Sequence, residues 1–137
     1  MRVGARVLAA IALLASSSGT LIAHHSFAAQ YDASKPVTLK GIVSKVEWTN
    51  PHARFYVDVR DENGTITNWN LELASPNVLV RNGWSRKSLN VGDEIVVEGS
   101  LAKDGSKMAN ARVVRLADGR RVFAGSSGGD APPPGQK

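Results

Sequence analysis

Val37-Thr-Leu-Lys-Gly-Ile-Val-Ser-Lys-Val-Glu-Trp48 is the stretch on which the fold turns. Its apolar residues change parity midway: Val37 and Leu39 share one face, whereas Ile42, Val46 and Trp48 share the other. Successive side chains of a strand point to opposite faces, so such a switch marks a bulge or a sharp bend. Gly41 sits at the switch, where a residue without a Cβ lets the backbone turn. The reading is one long first strand, bent at a glycine.

Outward from this strand the pattern stays β-rich. Ala53 to Arg60 alternates, with Phe55, Val57 and Val59 on one face and Arg54, Tyr56, Asp58 and Arg60 on the other, the period of a half-buried strand. Asn63-Gly64 supplies a hairpin turn. In the returning strand, Thr65 to Leu73, Trp69, Leu71 and Leu73 are expected to face in, and Asn68, Asn70 and Glu72 out. Ser75-Pro76 followed by Gly83 brackets a two-turn helix, with a serine N-cap, proline at the first helical position and glycine at the stop. Val91-Gly92-Asp93 leads into a strand over Glu94 to Leu101, and Lys103-Asp104-Gly105-Ser106 turns the chain into another over Ala109 to Leu116. Asp118-Gly119 permits a last tight turn before a short piece at Arg121 to Phe123.

Three strands, a helix and two strands is the element order of an OB-fold. The expected fold class is therefore all-β with a small helical contribution: a five-stranded OB-like Greek-key barrel carrying one short helix between strands three and four. A small antiparallel sandwich is the alternative that element order excludes least.

The 137 residues have room for one domain. Met1 to Ala23 reads as a cleavable export signal: Arg2 and Arg6 give a positive start, and the apolar run Val7 to Ala15 is too short to span a bilayer. A cut after Ala28, with Ser26 two residues before it, fits the small-x-small pattern better than one after Ala23, where Leu21 is the poorer residue; the family resemblance given below favours Ala23. Residues 24–124 form the barrel domain, and 125–137, rich in Gly, Ser and Pro, are read as a disordered tail. The expected location is the periplasm, with no stable membrane span after cleavage. The formal charge is +5, and Arg2 and Arg6 leave with the signal. The remaining surplus is interspersed rather than gathered into a stripe, so no nucleic acid is expected as partner. There is no cysteine, which excludes disulfides, thiolate metal sites and thiol catalysis.

His24, His25 and His52 are the only histidines. After a cut behind Ala23, His24 carries the new α-amine, so amine and imidazole can chelate one ion while His25 and His52 complete a nitrogen-rich site suited to copper, zinc or nickel. The competing reading is a solvated, polar start for His24 and His25, with His52 capping the turn by a hydrogen bond to a backbone carbonyl. No phosphate loop, nucleophile elbow or metalloprotease helix occurs, and Asp58 and Glu72 have Arg54 and Arg60 on the same face as charge partners. An enzyme is therefore not expected, and no residue is assigned a catalytic role. OB barrels often bind extended polymers across strands two and three, and Arg54, Tyr56 and Arg60 make a small version of that surface, which equally reads as an ordinary strand face. Trp48, Trp69 and Trp84 are read as packing.

The combination His24-His25-Ser26-Phe27-Ala28 with Tyr31-Asp32, Trp48-Thr49-Asn50-Pro51-His52, Ser75-Pro76-Asn77-Val78-Leu79 with Gly83-Trp84, and Ala102-Lys103-Asp104-Gly105-Ser106 resembles the family of unknown function DUF6152. The likeness runs from about His24 to Ser127. It implies an exported protein of Gram-negative bacteria with a barrel-like domain, and no activity. The expected function is a periplasmic binding module, either holding a transition metal through its histidines or taking an oligosaccharide, peptide or protein without metal.

Overall fold

A computed structural model describes residues 27–124. The export segment with His24 and His25, and the tail from residue 125, lie outside the described residues. The strands are β1 (Tyr31–Glu47), β2 (Arg54–Arg60), β3 (Ile66–Glu72), β4 (Glu94–Ala102), β5 (Met108–Leu116) and β6 (Arg121–Phe123), and α1 (Pro76–Arg81) lies between β3 and β4. Their order in the sheet is β3-β2-β1-β4-β5-β6, and β3 also pairs with β5. That last pairing is parallel and the others are antiparallel. The ring β1-β2-β3-β5-β4 therefore closes on itself, as an OB-fold requires, and β6 adds to β5 outside it.

The closure makes β1 long. Its first half pairs with β4, from Tyr31↔Ala102 to Ile42↔Glu94, and its second half with β2, from Ile42↔Asp58 to Glu47↔Arg54. β1 starts at Tyr31, six residues before the expected Val37, because that leading segment finds β4 as a partner.

The parity change is real but displaced. The register slips between Val43 and Lys45, so the inward phase continues past Gly41 to Val43, which is 1% exposed, and Ile42 points out at 44%. The expectation that Ile42 faces the core is corrected accordingly: the extra residue of the bulge sits two or three places later. Gly41 has a different duty. A Cβ there would lie 2.3 Å from the Asp58 carbonyl oxygen and 2.6 Å from Val57 Cγ1, so glycine allows β1 and β2 to approach where the barrel bends.

Inside the ring lie Leu39, Val43, Phe55, Val57, Leu71, Leu73, Ile95, Val97, Ala109, Ala111 and Val114. Each large member contributes roughly 1.5–3 kcal/mol by leaving water. α1 caps one end with Leu79, fully buried, and Trp84 packs beside it at the helix stop. The Ser75 side chain accepts from Val78 N–H, Pro76 opens the helix, and Trp84 N–H returns to the Leu79 carbonyl at 2.9 Å, as the Ser-Pro…Gly-Trp pattern anticipates. Trp48 and Trp69 are partly buried against the same core.

Candidate functional site

The outer face of β1, β2 and β3 is built by alternation. On β2, Arg54, Tyr56, Asp58 and Arg60 point away from a core side holding Phe55 and Val57. The register sets Arg54 against Glu72, Tyr56 against Asn70, Asp58 against Asn68 and Arg60 against Ile66, while Lys45 and Glu47 flank Tyr56 and Arg54 from β1. Tyr56 thus stands in the middle of a polar sheet three strands wide.

At one end of this face Glu72 is the anchor. Its Oε2 accepts from Arg54 Nη2 at 2.6 Å and from the Tyr31 hydroxyl at 3.0 Å, and its side chain is only 4% exposed. Arg54 Nη1 also donates to Asn70 Oδ1 at 3.2 Å. The expectation that Glu72 faces solvent is corrected here: the leading segment of β1 brings Tyr31 down over it. Burial, and then the Glu72 charge, push the Tyr31 phenol well above the usual tyrosine range. On the strand opposite, Asn110 is buried in register with Glu72, and its Nδ2 has no hydrogen-bond partner among the described residues.

In the centre, the Tyr56 hydroxyl donates to Glu47 Oε2 at 3.3 Å, and Lys45 Nζ lies 5.2 Å from the ring centroid while pairing with Glu47. That hydrogen-bonded pair raises the Lys45 pKa and lowers the Glu47 pKa. Asn68 Nδ2 donates to Asp58 Oδ1 at 2.7 Å and to Ser44 Oγ at 2.9 Å. Asp58 is therefore held by an amide, and its expected partner Arg60 turns instead to the Gly64 carbonyl at 3.1 Å. Of the three residues expected on a binding surface, Arg54 and Tyr56 are brought together. Arg60 stands at the hairpin end, where with Ile42, Ile66 and Lys40 it lines a shallow groove of about 420 Å³.

His52 lies in the β1–β2 loop, half-buried, with Nδ1 3.2 Å from the Leu73 carbonyl oxygen. A carbonyl only accepts, so in this contact Nδ1 carries a proton and donates. The described residues contain no group of three or more His, Cys, Asp or Glu placed to share a metal ion; His24 and His25 fall outside them. Tyr31 is a member of the face that pattern reading did not assign, hidden by the step from it into an exposed, charged run. Alternation placed Glu72 on this face beside Arg54, as the structure has it, and missed only its burial under Tyr31.

A family model described as a family of unknown function, DUF6152, matches residues 10–111. No curated protein matches the chain. Among solved structures, the mitochondrial single-stranded DNA binding protein Rim1 from S. cerevisiae is similar in two crystal forms. Form 2 is 9% identical with a TM-score of 0.48, over 61% of this chain and 93% of that one. Form 1 is 12% identical with a TM-score of 0.46, over 61% of this chain and 92% of that one.

Proposed function

The chain belongs to the family of unknown function DUF6152, and we propose that it is a non-enzymatic binding module, exported to the periplasm by its first 23 residues, that takes an oligosaccharide across the outer face of β1, β2 and β3. The observation that carries this reading is the row of planar polar side chains around one tyrosine: Arg54, Asn70, Asp58 and Asn68 flank Tyr56 in register. Carboxylate, amide and guanidinium groups offer paired donors and acceptors that suit vicinal hydroxyls, and an aromatic ring offers a flat apolar surface for a sugar face. The groups are already oriented by one another through Arg54–Glu72, Arg54–Asn70 and Asn68–Asp58, which lowers the ordering penalty of binding. Lys45 lies over the Tyr56 ring, but its side chain is exposed and able to swing aside. Among the described residues no helix is long and apolar enough to cross a membrane.

The test is a glycan array probed with the purified protein, followed by Tyr56→Ala and Asn70→Ala. Bound glycans should be lost with either substitution, and Lys45→Ala should retain or strengthen them. An array without hits, or hits indifferent to Tyr56→Ala, refutes the reading.

His52 favours a second reading. A metal-ligating histidine commonly donates its other ring N–H to a backbone carbonyl, and His52 does so through Nδ1. In this reading His24, His25 and His52 hold copper or zinc. Calorimetric titration of protein beginning at His24 with Cu(II) and Zn(II) decides it: binding lost on His52→Ala supports the site, and no binding tighter than about 10 μM, roughly 7 kcal/mol, rejects it.

A further inference from the structure

On the opposite side of β1 from the sugar face, four of the chain's ten arginines fall within residues 112–121, and the fold gathers three of them. Arg112 Nη2 lies 3.4 Å, Arg115 Nη2 2.6 Å and Arg121 Nη2 3.9 Å from the carboxylate of Glu98. Two features of the backbone produce this. Arg112 and Arg115 are three apart and in a regular strand would face opposite ways. The register between β4 and β5 slips between Glu98 and Gly99, with Glu98 opposite Val113 and Gly99 opposite Ala111, so Arg112 is the extra residue. The slip depends on Gly99, where a Cβ would meet the Asn110 carbonyl oxygen at 2.2 Å. Both arginines are therefore exposed while Val113 and Val114 between them are both buried. β6 then sets Arg121 directly opposite Arg115.

A cross-strand pair of like charges is destabilising, and one half-buried carboxylate cannot neutralise three guanidiniums. Only Arg115 makes a short contact with it. The Arg121 side chain has no hydrogen bond among the described residues, and the Arg112 side chain has only the long one to Glu98. The side chains of Arg112 and Arg121 are 47% and 36% exposed. Arg120, by contrast, is matched by Asp118. The patch thus holds a surplus of two positive charges with unused, fork-shaped donors, the arrangement that recognises tetrahedral oxyanions.

We propose that Arg112, Arg115 and Arg121, held apart from full neutralisation by the single carboxylate of Glu98, form a binding site for a phosphate-type oxyanion, free or carried on a lipid headgroup. The site does not rest on the oligosaccharide reading, since it lies on β4, β5 and β6. Glu98 acts as an internal competitor that keeps the arginines together when no anion is bound.

The test is an NMR titration of the purified protein with inorganic phosphate, at ionic strength held constant with chloride. Shifts should concentrate on Arg112, Arg115 and Arg121, and the affinity should fall about tenfold or more in the Arg112→Gln/Arg121→Gln variant. Glu98→Gln should bind about tenfold more tightly, since it removes the competing charge. Arg121→Gln should leave thermal stability at low salt unchanged or raised, because it relieves the pair with Arg115; a merely structural arginine would lower it. Sedimentation with phosphatidylcholine vesicles, with and without phosphatidylglycerol, separates the sources. Capture by the anionic vesicles that is lost in the double variant assigns a headgroup, and phosphate binding without vesicle capture assigns the free ion. Shifts spread over all basic residues, or weaker binding by Glu98→Gln, overturn the proposal.

Discussion

Replacing Arg54 by Ala should reveal how much of the barrel's stability runs through its outer face. The substitution leaves the Glu72 carboxylate, 4% exposed, with the Tyr31 hydroxyl as its remaining side-chain donor. Removing one partner of a fully buried ion pair costs about 3–5 kcal/mol. Arg54 itself is 25% exposed and Tyr31 continues to donate, so the expected loss is about 2–3 kcal/mol. For a domain of this size that corresponds to a fall in Tm of roughly 10–20 °C. Glu72→Gln keeps an acceptor for both donors and lets Arg54 turn to water, and should lose only about 1–2 kcal/mol. The double variant should be no worse than Arg54→Ala alone, which gives a coupling of about 1–2 kcal/mol in the cycle. Urea unfolding of the four proteins, with m-values compared to guard the two-state assumption, measures it. Losses that add to within about 0.5 kcal/mol would refute the argument, because Glu72 would then not depend on Arg54.

Further outcomes follow from the same geometry. Gly41→Ala should destabilise the domain by more than about 4 kcal/mol or prevent folding, because the new Cβ meets the Asp58 carbonyl at 2.3 Å; circular dichroism and the soluble yield check it. Val43→Ala should lose about 1–3 kcal/mol and Ile42→Ala under about 0.5 kcal/mol, since the first is buried and the second exposed; a larger loss for Ile42→Ala than for Val43→Ala would put the bulge back at Gly41. The raised phenol pKa of Tyr31 means that the unfolded chain gives up this proton first, so its contribution is complete below about pH 10 and falls as pH rises above it. The chain has two tyrosines, so in Tyr56→Phe the tyrosinate absorbance reports Tyr31 alone. It should develop only as the fold is lost, and Tyr31→Phe should flatten the alkaline decline in stability.

The ring of strands was legible because β2, β3 and β4 each obey one period. Phe55 and Val57 against Arg54 and Tyr56, and the Ser75-Pro76…Gly83 bracket around Leu79, need no information beyond the strand and helix repeats. β1 was harder because it pairs with two neighbours in succession. A parity switch states that an extra residue exists within a few positions without saying which position carries it. Gly41 drew the assignment because glycine suits a bulge, whereas what it supplies is room for the β2 backbone. The slip itself falls where Val43 turns its backbone N–H and carbonyl to Asp93 and Gly92, a contact across 49 residues and more that no local pattern contains.

The candidate faces divide in the same way. Arg54 and Tyr56 were readable as an outward pair, but Glu72 was not readable as buried, since its burial comes from Tyr31, 41 residues earlier. The arginines of residues 112–121 looked like ordinary interspersed charge because Arg112 and Arg115 differ in parity. Only the slip enabled by Gly99 turns them to one side, and only the β6 hairpin brings Arg121 across from Arg115. In the second case the bulge changes which residues share a face. A barrel this small therefore sets its charged surfaces by where its register shifts fall, between Tyr31 and Pro36, Val43 and Lys45, and Glu98 and Gly99, and moving one of them by a residue would rearrange the surface chemistry while leaving the order of strands intact.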